Sequence, residues 1–80
     1  MNDIEYEFYN DVKDTLSDYN CTFSYYHDDG VFTVGVSFDY DEWGWHVDEI
    51  DSDLDDLFDD WDGDWDNDCN EYEVWLNNDD

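Results

Sequence analysis

Positive charge is what this chain lacks most. Among 80 residues one, Lys13, is basic, and arginine is absent. Affinity for DNA or RNA comes from Lys and Arg releasing the counterions held by phosphates, so direct nucleic-acid binding is excluded. An anionic membrane surface repels the chain for the same reason. No basic, apolar leader opens the sequence and no apolar run approaches the ~20 residues that span a bilayer, which gives a cytoplasmic location as the expectation. Two cysteines, Cys21 and Cys69, allow one bridge at most. A small cytoplasmic protein keeps such thiols reduced, and they have no histidine neighbours at metal-ligand spacing.

Chemistry-bearing motifs are equally scarce. There is no glycine-rich phosphate loop and no nucleophile motif. His27 falls in an expected turn and His46 on the polar face of an expected strand, so both read as solvent-facing rather than as bases. Carboxylate pairs such as Asp28 with Asp29 or Asp41 with Glu42 carry no information in so acidic a chain, since a general acid needs a selectively raised pKa. The reading is a protein without catalytic activity and without a cofactor.

What is present is acid and aromatic surface together. Asp and Glu number 27, of which 21 are Asp, for a formal charge of −26. Asp is a poorer helix former than Glu, so these acids do not serve helix stability. Self-repulsion at this density opposes folding, yet 40% of residues are hydrophobic and 21% aromatic. A disordered acidic tail lacks those aromatics. Residues 1–80 are therefore expected to form one compact domain near the lower size limit for a core, with 77–80 a frayed tail.

Periodicity gives the elements. Ile4, Phe8, Val12, Leu16 and Tyr19 mark an amphipathic helix over about 2–18, with Asn2 as its cap. Cys21, Phe23 and Tyr25 alternate with polar residues, His27-Asp28-Asp29-Gly30 makes a turn, and Phe32, Val34, Val36, Phe38 and Tyr40 form the clearest strand. Asp41-Glu42 turns again, and Trp43, Trp45 and Val47 continue at period two as a third strand. Ile50, Leu54, Leu57, Phe58 and Trp61 return to helical spacing, and Tyr72, Val74 and Leu76 close the chain as a strand. The expected fold is a two-layer α+β domain of order α-β-β-β-α-β. An antiparallel meander plus a C-terminal strand packs against two helices, without an internal repeat.

With 48–62 helical, Asp48, Asp55, Asp59 and Asp62 line up opposite the apolar face, flanked by Asp51, Asp56 and Asp60. At ~1.5 Å rise per residue they stand roughly 4 to 10 Å apart, the scale on which DNA presents phosphates. A charge run is ordinarily just a solvated face, but 27 acids against one base exceed what solubility needs. Small size, extreme acidity and an aromatic core together resemble the DNA-mimic proteins of phages and mobile elements, the anti-restriction and anti-CRISPR inhibitors. The resemblance covers the whole chain in character and rests on no motif. It implies an inhibitor whose partner is a basic nucleic-acid-binding protein of a bacterial cell. An immunity protein or antitoxin that neutralises a basic nuclease toxin would use the same electrostatics, and salt adaptation would give the same composition.

Asp60, Asp62, Asp64, Asp66, Asp68 and Glu71 also occupy the ligand positions of an EF-hand calcium loop, although Trp65 stands where that loop needs glycine. A calcium-binding module is the weaker alternative. Tyr9, Tyr26 and Trp75 fall off the apolar faces. They read equally as hot spots for a partner's Arg or Lys and as a second cluster or homodimer contact.

Overall fold

The computed structural model describes residues 2–77. Helix α1 spans Asp3–Thr15 and opens on a capping box: Asn2 Oδ1 accepts the Glu5 N–H at 2.8 Å and Glu5 Oε1 accepts the Asn2 N–H at 3.0 Å. Phe8, Val12 and Leu16 are fully buried, while Ile4 stays 60% exposed. The helix stops short of Asp18 because Ser17 turns its hydroxyl back onto the Asp14 carbonyl at 2.9 Å.

Strands β1 (Cys21–Asp28) and β2 (Val31–Phe38) form a hairpin closed by Asp29 and Gly30, whose φ angles of 55° and 83° are the two positive values that a tight Asp-Gly turn requires. The expected third strand is not a strand. Trp43, Trp45 and Val47 lie in helix α2, Tyr40–Leu57, which begins earlier and ends earlier than the expected 48–62. Trp43, Val47, Ile50, Leu54 and Leu57 recur at alternating spacings of four and three, so one apolar stripe runs the length of the helix. Trp45 lies off that stripe and is 85% exposed. Asp41 and Glu42, expected to turn the chain, instead favour the positive end of α2.

Strands β3 (Gly63–Asp68) and β4 (Glu71–Leu76) make a second hairpin. Gly63 is obligatory at its start, because a Cβ there would collide with the Trp75 carbonyl and the Phe58 ring. Of the expected tail only Asn77 is described, and its N–H donates to the Asp62 carbonyl at 2.8 Å. The two-layer α+β architecture holds, with element order α-β-β-α-β-β and a fully antiparallel four-stranded sheet ordered β1-β2-β4-β3. Both helices cover one face. Phe32, Val34, Val36, Phe38, Tyr72, Val74 and Leu76 meet α1 and α2 there in a single core.

This order contains a repeat that the sequence reading did not anticipate. Each half is an α-β-β unit, and the units meet through antiparallel β2 and β4. Buried Phe8 and Val12 of α1 correspond to buried Ile50 and Leu54 of α2, each 42 residues later. Tyr19 Oη donates to Asp53 at 2.8 Å, and at the equivalent positions Trp61 Nε1 donates to Asp11 at 2.8 Å. Reciprocal contacts of this kind are the mark of two-fold symmetry, here approximate and internal to one chain.

Candidate functional site: an anionic groove between the helices

The helices run antiparallel, as the Tyr19–Asp53 and Trp61–Asp11 bonds require. Between them lies an open groove of about 500 Å³ lined by Asp11, Asp14 and Asp18 from one unit and Asp53, Asp56 and Asp60 from the other. The two triplets share one spacing, three residues and then four: Asp11 and Asp14 stand one turn apart on α1 and Asp53 and Asp56 one turn apart on α2, with Asp18 and Asp60 in the turns that follow the helices. Pseudo-symmetry then makes them two antiparallel rows. The groove sits at the last turns of both helices, where the macrodipoles are negative, and α2 has no basic residue there. No basic side chain lines the groove, and of its six carboxylates Asp11 and Asp53 receive the Trp61 and Tyr19 hydrogen bonds.

Elsewhere the fold supplies few cations. Among the described residues the contacts between a basic side chain and a carboxylate are His27 with Glu5 at 3.0 Å and His46 with Glu49 at 3.8 Å, each an ion pair only when its histidine is protonated. His27 therefore lies on β1 beside α1, and His46 on α2 beside the Tyr19 ring, 5.5 Å between centroids, rather than in a turn and on a strand. The Asn2 N–H, followed by His27, holds the Glu5 carboxyl below its ordinary value although burial opposes this. Lys13 Nζ rests 5.1 Å from the centre of the Tyr9 ring.

Aromatic donors take the place of missing lysines and arginines. Besides Tyr19 and Trp61, Tyr72 Oη donates to Asp51 at 2.8 Å and Trp65 Nε1 to Asp55 at 3.2 Å, while Trp43 Nε1 donates to the Tyr72 oxygen at 3.1 Å. Burial and then the adjoining Asp53 push the Tyr19 phenol well above the usual tyrosine range. Burial and then Asp51 do the same for Tyr72. Both phenols therefore stay protonated donors.

The expected stripe is divided by this arrangement. Asp56 and Asp60 line the groove, whereas Asp51 and Asp55 are tied to Tyr72 and Trp65 on the sheet-facing flank of α2. Asp48 is exposed near the middle of α2, and Asp59 and Asp62 lie exposed beyond its end. Asp11, Asp14, Asp18 and Asp53 were missed, although the shared three-then-four spacing was visible in the sequence. The calcium-loop positions do not close into a loop. Asp64, Asp66 and Asp68 string out along the outer face of β3, Glu71 stands opposite Asp68, and Asp60 belongs to the groove. No cluster of three or more such ligands is positioned for a metal ion among the described residues.

The sheet face away from the helices is a second anionic surface. Asp68 faces Glu71 and Asp66 faces Glu73 directly across the β3–β4 ladder. Like charges so placed repel. Tyr26 and Trp75 lie on this face on either side of Thr33, whose 3% exposure makes it the buried polar side chain of the described residues. Tyr9 instead packs on the core with its ring 5.2 Å from that of Tyr25. Cys21 and Cys69 are both free thiols, and burial, followed by Glu42, pushes Cys21 up to about 11.

Comparison with protein-family models, curated proteins and solved structures finds no match. No helix among the described residues is long and apolar enough to cross a membrane.

Proposed function

We propose that this protein is an inhibitor that mimics DNA, and that its interhelical groove occupies the basic nucleic-acid-binding site of a bacterial defence enzyme or other DNA-binding protein. The observation that carries this reading is the pair of antiparallel carboxylate rows, Asp11, Asp14, Asp18 and Asp53, Asp56, Asp60, with no cation between them. On each helix the first two acids stand one turn, about 5 Å, apart, and the third follows in the turn beyond the helix end. Each strand of a duplex carries one phosphate per ~3.4 Å of axial rise, also in two antiparallel rows related by dyads. A cleft built for two phosphate rows meets a comparable pattern here on a rigid scaffold. Long-range attraction by the whole −26 field speeds the encounter.

The repulsion stored within the groove favours the complex as well. Carboxylates at helix C-termini are unfavourable by about 0.3–1 kcal/mol each at low salt, and a partner's Lys and Arg relieve that cost on binding. Free DNA is turned away by the same charge.

The test is to capture partners from a bacterial lysate on the immobilised protein at low salt, elute with salt, and titrate the purified partner carrying labelled duplex DNA. Mimicry predicts that the protein displaces the DNA at stoichiometric amounts. A partner that holds DNA and this protein together contradicts it, and points to an immunity-type protein bound beside the nucleic-acid path.

A further inference from the structure

The internal repeat places β1 and β3 at equivalent positions, the two edges of the sheet. An edge strand exposes unpaired N–H and C=O groups, and soluble proteins block such edges with short strands, charges, prolines or bulges. Strand β3 is blocked in this way, with six residues of which Asp64, Asp66 and Asp68 are acidic and exposed. Its counterpart is not. Strand β1 has eight residues, pairs with β2 in unbroken register, and carries no acid before its last residue, Asp28. From residue 19 to 27 there is no carboxylate, in a chain where 27 of 80 residues are acidic. At the positions equivalent to the aspartates of β3, this edge exposes Thr22, Ser24 and Tyr26. Tyr25 and Tyr26, on opposite faces of the edge, are 50% and 41% exposed.

We propose that β1 is a self-association edge, on which the β1 strand of a second copy pairs antiparallel about a two-fold axis near Ser24 and continues the sheet to eight strands. A cationic partner is drawn to carboxylates, and between Asn20, which meets Glu42, and His27, which meets Glu5, the strand carries none of its own. A second copy is repelled by every acidic surface of the molecule, and β1 is the uncharged strand along which two such chains can approach. Antiparallel pairing carries the Asp28 of each copy to the Asn20–Cys21 end of the other, where Asn20 donates to Glu42 at 3.2 Å and to Asp39 at 3.4 Å, so acids meet at both ends of the paired strands and association depends on salt to screen them. Exposed tyrosines on both faces of the edge are covered by the added strand. The inference is independent of DNA mimicry, because the groove lies between the helices.

Sedimentation equilibrium from ~1 µM to ~1 mM, at low and at moderate salt, tests it. The parent is expected to reach a dimer, with tighter association as salt screens the net charge. Ser24→Asp and Thr22→Asp each place one acid on the edge and should weaken dimerisation at least tenfold. Ser52→Asp, the same charge on exposed α2, should leave it within twofold. Circular dichroism identifies any variant that fails to fold, and the two edge variants serve as alternates. A parent that stays monomeric to ~1 mM at moderate salt overturns the proposal, as does equal weakening by edge and helix acids.

Discussion

Replacing Tyr72 by phenylalanine removes one oxygen atom from the junction of sheet and helix, and the structure sets the size of the effect. Tyr72 is 1% exposed, and its hydroxyl both donates to Asp51 and accepts from Trp43 Nε1. A hydrogen bond to a charged group contributes ~1.5–3 kcal/mol and a neutral one about 1 kcal/mol. Asp51 and Trp43 are half-buried, so water reaches part of each after the change, and a net loss of about 2–3 kcal/mol is expected. A domain of this length has roughly 4–12 kcal/mol in total, at about 0.05–0.15 kcal/mol per residue. The substitution should therefore lower Tm by ~10–20 °C. Urea unfolding followed by circular dichroism at fixed ionic strength measures it, with an unchanged m-value as the sign that both states keep their compactness. Asp51→Asn alone should cost less, because its amide oxygen still accepts from Tyr72. The double-mutant cycle should return a coupling of about 1 kcal/mol or more. A Tyr72→Phe loss under ~0.5 kcal/mol would refute the view that aromatic donors replace lysine and arginine in holding these carboxylates.

The raised Tyr19, Tyr72 and Cys21 groups predict alkaline lability, since the native state keeps protons that the unfolded chain releases; their contribution is complete below pH 9.0, is lost for Cys21 between 9.0 and about 11, and falls for the tyrosines from 10.0 upward. A Tm that stays level from pH 8 to about 11 contradicts those assignments. Gly63→Ala forces β3 away from the Trp75 carbonyl and should cost ~3 kcal/mol or more, measured by the same urea titration; a shift within ~0.5 kcal/mol would show that the hairpin gives way easily. Raising NaCl from about 20 to about 500 mM should increase Tm by screening the net charge, and a flat or falling Tm would mean that self-repulsion is not a significant cost.

Helix α1, the β1–β2 hairpin and β4 were legible because each carries one clear period and its turn or cap residues stand beside it. The Trp43–Val47 stretch misled because Trp43, Trp45 and Val47 satisfy a period of two locally. Only the longer run through Leu57 shows that Trp43 and Val47 belong to a helical stripe and Trp45 does not. Strand β3 was hidden by composition. Its inward positions are Gly63, Trp65 and Asn67, so one large apolar side chain carries the alternation and the aspartates between look like ligand spacing. At the level of residue identity the helical part of the repeat shows only in acids, Asp11, Asp14 and Asp18 recurring as Asp53, Asp56 and Asp60, which so acidic a chain conceals. Phe8 answers to Ile50 and Tyr19 to Trp61, so the core and donor positions share burial and chemistry while their letters differ. For the groove, each acidic triplet was readable by itself, but its apposition to the other depends on helices packing antiparallel, which no local pattern encodes.

Charge-matched inhibition decides the central claim. Asp14, Asp18, Asp56 and Asp60 changed together to Asn strip four charges from the groove and disturb none of the side-chain bonds that hold Asp11 and Asp53. Asp66→Asn, Asp68→Asn, Glu71→Gln and Glu73→Gln strip four from the outer sheet face. With the captured partner and labelled duplex DNA, the groove variant should need ~30-fold or more higher concentration to displace the DNA, about 2 kcal/mol, and the sheet variant no more than about threefold, the share due to weaker steering. Equal losses in the two variants, with both folded, would contradict the account, because net charge alone and not the groove would then govern binding.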